Sequence, residues 1–151
     1  TIWYSDDQGS TWNVSSAQGD HFVKLFHIGE LVYALGYQGS FMVSKDNGAN
    51  WDKLRNGSIT YRNKVLCNDM LFVDEQKGII VGNGGLVMGT KDGGKKWTIY
   101  KQKNGYQFNA ITLIGPNKAI IVGRWNKNLV TIVIWKAVIS IKIINKKILI
   151  I

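Results

Sequence analysis

The chain has 151 residues, enough for one domain with a core of its own. Its composition, 45% hydrophobic and 11% aromatic, excludes a disordered chain, and 17 glycines against one proline favour short strands joined by tight turns over long helices. The net charge of +9 sits mostly at one end: residues 1–123 carry 13 Lys/Arg and 10 Asp/Glu, residues 124–151 carry six Lys/Arg and no acid, so no basic groove is expected and nucleic acid is excluded as a partner.

In chain order, the first predicted strand lies near Ile2–Ser5. A set of four follows at Phe22–Ile28, Leu31–Leu35, Phe41–Ser44 and Trp51–Leu54. A second set follows at Cys67–Val73, Gly78–Val81, Leu86–Thr90 and Trp97–Tyr100. Turn-forming clusters such as Gly82–Gly85 and Asp92–Lys96 separate the strands. Another copy begins at KAIIVGRWN, where Gly123 takes the place of Gly82.

The sets are repeats. Ser5, Asp7, Gly9 and Trp12 recur as Ser44, Asp46, Gly48 and Trp51, and again as Thr90, Asp92, Gly94 and Trp97. The offsets are 39 and 46 residues, the length of one four-stranded propeller blade. LVYALGYQGSFMVSKDNGANW aligns with GIIVGNGGLVMGTKDGGKKW without a gap, matching Gly36 to Gly82 and Gly39 to Gly85. Each quartet is expected to staple the hairpin between a unit's third and fourth strands. The Asp accepts backbone N–H bonds, the hydroxyl ties the incoming strand to the turn, the Gly supplies positive φ, and the Trp folds over the turn and is buried. A calcium loop is rejected, because the acidic spacing and the Glu at the twelfth position are missing. GYQG and GNGG are hairpin turns and not phosphate cradles, since a strand follows each and no helix does. His21 and His27 have no third ligand beside them, and no metal or other cofactor is expected.

These motifs resemble the BNR/Asp-box repeat families, and within them the photosystem II assembly and stability factor-like group, whose repeat runs A-x-G-x-x-G-x-[IVL]-x-x-[ST]-x-D-G-G-x-x-W. IIVGNGGLVMGTKDGGKKW fits that pattern with Val81 at the Ala position; ALGYQGSFMVSKDNGANW departs from it at Leu35 and Asn47. The resemblance covers residues 1–126. It implies an all-β propeller in a lumenal, periplasmic or secreted location. It also implies a non-catalytic scaffold or assembly factor with a protein partner, or alternatively a glycan ligand.

Domain organisation divides at 128. Residues 1–128 hold the blades, about three of them in an open arc that begins inside a unit. Residues 129–151 form an off-pattern tail, in which Val133, Trp135 and Val138 stand where Asp, Gly and Trp are expected. Its Ile- and Lys-rich composition suits a shifted reading frame or one or two extra strands, which resequencing the locus would separate. Lys136, Lys142, Lys146 and Lys147 interrupt it too often for a membrane span.

In such a fold, turns between second and third strands share a rim with the links between blades, and ligands bind there. The candidate binding residues are Tyr37, Gln38, Asn83 and Arg124, flanked by Trp125 and Asn126, together with Tyr61 and Arg62 of an inserted loop at Gly57–Asn63. No catalytic residue is assigned. A sialidase needs an arginine cluster, whereas Arg55, Arg62 and Arg124 are the only arginines. The acids Asp20, Glu30, Asp52, Asp69, Asp74 and Glu75 form no hydrolase pair, and most read as turn or strand-end residues. A sialidase- or xyloglucanase-like fragment is the alternative.

Overall fold

A computed structural model describes residues 1–56, 66–101, 105–116, 118–126 and 128–135. The elements it describes are all strands, arranged in four antiparallel sheets. The first sheet pairs β1 (Trp3–Tyr4) with β2 (Asn13–Val14). The second is β3 (Phe22–Ile28), β4 (Leu31–Gly36), β5 (Phe41–Ser44) and β6 (Asp52–Arg55) in sequential order. The third repeats the meander as β7 (Cys67–Phe72), β8 (Gly78–Gly82), β9 (Leu86–Thr90) and β10 (Thr98–Lys101). The fourth joins β11 (Tyr106–Gly115), β12 (Lys118–Trp125) and β13 (Asn128–Trp135). The described residues thus form half a blade, two whole blades and three strands of another: a partial β-propeller. The outer strands β6 and β10 begin one residue later than the pattern predicts, because Trp51 and Trp97 belong to the turns.

The cores lie between the sheets. Tyr33, Leu35 and Phe41 of one blade meet Cys67, Met70, Phe72 and Met88 of the next. Leu71, Ile79, Val81 and Val87 from the other face of that blade meet Phe108, Ile111, Ala119 and Ile121. Ile2 and Ala17 pack on Ala34, Met42 and Trp51. A sheet covered on both faces must be apolar on both, which is why β8 and β9 are buried at every residue and show no alternation. β3, with one face uncovered, alternates between half-buried and exposed residues. Aromatic stacking sharpens the central interface: the Tyr33 and Phe72 rings lie 4.4 Å apart and parallel within 1°.

One distortion recurs in every blade that has an inner strand pair. The first strand carries an extra residue, Val23, Asn68 or Asn109, just after the residue that pairs with a glycine of the second strand, Gly36, Gly82 or Gly123. The bulge crowds that glycine. A side chain on Gly82 would overlap the Leu66 carbonyl oxygen, one on Gly123 the Gln107 carbonyl oxygen, and one on Gly36 the Asp20 carboxylate. The Gly36–Gly82–Gly123 match in the sequence therefore reflects steric exclusion.

Candidate functional site

The turns between third and fourth strands explain the stapling quartets. Ser44 Oγ donates to Asp46 Oδ1 at 2.8 Å and accepts from the Gly48 N–H at 2.8 Å. Asp46 Oδ1 also accepts from the Asn50 N–H at 2.9 Å. Thr90, Asp92, Gly94 and Lys96 make the same set, as do Ser5, Asp7, Gly9 and Thr11. Gly9, Gly48 and Gly94 adopt φ of 90°, 98° and 89°. These donors hold the Asp46 and Asp92 carboxyls below their usual range, led by the Asn50 and Lys96 N–H groups respectively, and bring Asp7 down to about 2 through Thr11 first and Ser5 next. Trp51 Nε1 donates to the Gly48 carbonyl at 2.7 Å and Trp97 Nε1 to the Gly94 carbonyl at 3.0 Å. Trp97 also sits edge-on to Phe41, 5.2 Å away. Trp12 departs from the expected burial: it is 59% exposed, against 8% for Trp51. Each turn leans on the preceding sheet, as Gly94 does on Phe41, and the described residues place no sheet before β1.

The opposite strand ends, where second strands turn into third, form the candidate rim. Here the backbone links successive sheets. The Tyr37 N–H donates to the His21 carbonyl at 2.7 Å, and the Tyr37 carbonyl accepts from the Cys67 N–H of the next blade at 2.9 Å. Asn83 occupies the equivalent place: its N–H donates to the Leu66 carbonyl at 2.8 Å, and it bridges to Gln107 of the following sheet. Asn126 donates to the Gly105 carbonyl at 3.1 Å. The extra residue of the second bulge reinforces the junction, Asn68 Nδ2 donating to Asn83 Oδ1 at 2.8 Å and to the Phe108 carbonyl at 2.7 Å. Tyr37, Gln38, Asn83 and Arg124 thus stand on one rim, spread over three consecutive sheets. Arg124 and Trp125 belong to the end of β12 and not to the turn itself. Tyr61 and Arg62, with the inserted loop, lie outside the described residues.

Side chains that the sequence reading left as turn or strand-end residues hold this rim in place. Asp20 receives the Gln38 N–H at 3.2 Å, the Ser40 N–H at 3.3 Å and the Ser40 hydroxyl, fixing the Tyr37–Ser40 turn from 18 to 20 residues away. Asp69 departs further from expectation. It is buried inside β7, where it pairs with Lys24 Nζ at 2.9 Å and accepts the Ile111 N–H at 2.9 Å, tying three sheets together. No spacing in the sequence marks either role; the partners converge only when the sheets stack. Trp125, 45% exposed, stacks on Tyr106 with ring centres 6.0 Å apart, so the rim carries an aromatic platform beside Arg124. Burial pushes the Cys67 thiol up to about 12, the nearby Arg55 guanidinium opposing that rise. Among the described residues, no three His, Cys, Asp or Glu side chains are grouped to hold a metal ion, and no helix is long and apolar enough to cross a membrane.

Stacked four-stranded meanders with blade-to-blade backbone links define a segment of a β-propeller whose rim is built from turns. The fold is shared with YCF48 from Cyanidioschyzon merolae, at a TM-score of 0.59 and 17% identity over 76% of this chain and 38% of that one. It is also shared with the structure of YCF48 bound to D1 peptide, at 0.54 and 20% identity over 79% of this chain and 41% of that one. The chain therefore spans about two fifths of the length of these YCF48 chains, and at these identities the likeness shows the fold. No protein-family model and no curated protein matches the sequence.

Proposed function

We propose that this chain is a protein-binding propeller segment that acts without catalysis, an assembly-factor-like scaffold whose docking surface is the rim of Tyr37, Gln38, Asn83, Arg124 and Trp125. One observation carries this reading: the rim is made rigid by backbone hydrogen bonds that cross from each sheet to the next, yet it holds exposed aromatic and cationic side chains. A preorganised surface of this kind loses little entropy on binding, and Tyr, Trp and Arg are the residues that anchor protein interfaces. The acids Asp20 and Asp69 are committed to structural hydrogen bonds, which leaves them poorly placed as a hydrolase pair. The fold shared with a YCF48 structure bound to D1 peptide supports a peptide or protein as the ligand class. A lumenal, periplasmic or secreted location belongs to the same reading, and fractionation of the source cells tests it.

The direct test is fluorescence anisotropy with a labelled D1 peptide. Saturable binding that Tyr37→Ala and Arg124→Glu each weaken by about tenfold or more is the expected result, the size of an interface anchor. Absence of binding, or binding indifferent to both substitutions, overturns the proposal.

A further inference from the structure

The turns of the rim follow one plan, and one of them departs from it in a pair of residues. Gly36, Gly82 and Gly123 are equivalent, so the position two residues on is Gln38, Gly84 and Trp125. The position two before the strand residue that faces the glycine is Asp20 in the first of these sheets and Tyr106 in the last. In the first sheet that pair is structural, the Gln38 N–H donating to Asp20 at 3.2 Å. In the last it is two rings, Tyr106 and Trp125, inclined at 23° with centres 6.0 Å apart. The repeat itself does not require rings here, since Gln38 and Gly84 serve at the equivalent places.

Trp125 is held in place without being covered. It lies on the same face of β12 as Ala119 and Ile121, which are buried against the β7–β10 sheet. The sheet on that side is therefore in place, and Trp125 projects past its end, 45% exposed. The turn at that end offers main chain only at Gly84 and Gly85, and the Gly85 N–H donates to the Tyr106 carbonyl at 2.9 Å. A methyl on Gly105 would lie 3.4 Å from Trp125 Nε1, so the pyrrole edge of the indole rests on the Gly105 turn while Tyr106 takes one ring face. The exposed part is the rest of the indole, its six-membered ring.

Chemistry narrows the guest. The neighbouring residue is Arg124, and the sequence has no acid between Gly93 and Asn128, so a cationic side chain is repelled rather than drawn to the rings. A long aliphatic side chain would lose its rotamer freedom on the platform. A proline ring meets the demands: it is uncharged, its C–H groups face the negative ring surface, and its extended backbone is ordered before it binds.

We propose that the Tyr106–Trp125 pair is a proline-binding platform, which seats a proline of the peptide that the rim docks. The assignment rests on the protein-binding reading of that rim and specifies which residue of the ligand the rim selects.

Blocked hexaproline is the probe, and a blocked peptide of alternating alanine and glycine is the control. Titrated into the 151-residue chain carrying isotope-labelled tryptophan, hexaproline should move the indole N–H signal of Trp125 saturably in NMR spectra. The signals of Trp51 and Trp97, whose indole N–H groups donate to the Gly48 and Gly94 carbonyls, should stay in place. In anisotropy with dye-labelled hexaproline, Trp125→Ala should weaken binding at least about tenfold and Trp125→Phe only a few-fold. The indole shift decides the matter should the alanine variant fail to fold by circular dichroism. No shift of Trp125, an equal shift with the control peptide, or unchanged affinity in the folded alanine variant would each overturn the proposal. D1 peptide bound in a Tyr37-dependent way by a chain that ignores hexaproline would remove this platform and leave the docking role of the rim. Hexaproline bound at Trp125 by a chain that ignores D1 peptide would keep the platform and count against the D1 peptide as the ligand of the rim.

Discussion

The two stapling tryptophans Trp51 and Trp12 occupy the same place in the repeat, yet differ in what covers them, so replacing each with alanine separates local from tertiary stabilisation. Trp51 is 8% exposed and Trp12 59% exposed, so the covered surface is smaller at Trp12 by slightly more than half. Truncating a buried Trp costs about 3–5 kcal/mol. Trp51→Ala also leaves the Gly48 carbonyl without its 2.7 Å donor, which places it toward the upper part of that range. Scaling by covered surface, Trp12→Ala should cost about 1.5–2 kcal/mol. Urea denaturation followed by far-ultraviolet circular dichroism measures both, since that signal does not rely on the tryptophans. The two variants should show the same slope as the parent but midpoints displaced in a ratio of roughly two to one. Equal displacement would mean that the staple works through its own turn alone, and the reasoning from sheet stacking would fail.

Gly82→Ala should destabilise the chain by about 2–3 kcal/mol, because the new methyl meets the Leu66 backbone, while Gly115→Ala, whose methyl would touch only Lys118 Cβ at 3.9 Å, should be close to neutral; thermal melts of the two compare them directly. The lowered carboxyls of Asp7, Asp46 and Asp92 contribute stability that is fully present above the unfolded value of about 4 and is lost as pH falls through their lowered folded values, about 2 for Asp7. Melting temperature should therefore fall across that window, less steeply in Asp7→Asn, and an identical profile in that variant would refute the assignment. Cys67 is fully buried with its thiol raised to about 12, so a disulfide reagent at pH 8 should label it only after denaturant is added; prompt labelling of the folded chain would contradict its placement between blades.

Sequence alone determined the repeat, the strand order and the turn chemistry. The bonds that fix each hairpin, Ser44 to Asp46 and Gly48 and Asp46 to Asn50, join residues at most four apart, and local geometry is readable from local spacing. The matched glycines were visible too, although the bulge opposite them was not, because it depends on the register of a neighbouring strand. The candidate rim was legible as a set of turns at Tyr37, Gln38 and Asn83. The residues that hold it, Asp20 and Asp69, were not, since the partners that converge on them, Gln38 and Ser40 for Asp20 and Lys24 and Ile111 for Asp69, lie 18 to 45 residues away. Tertiary structure alone decided that Trp51 is buried and Trp12 exposed, and that Leu25 stands in the open where Met70 is enclosed. Identical motifs acquire different surroundings according to whether a sheet stacks against them, and burial is a property of that pairing, which no stretch of one strand encodes.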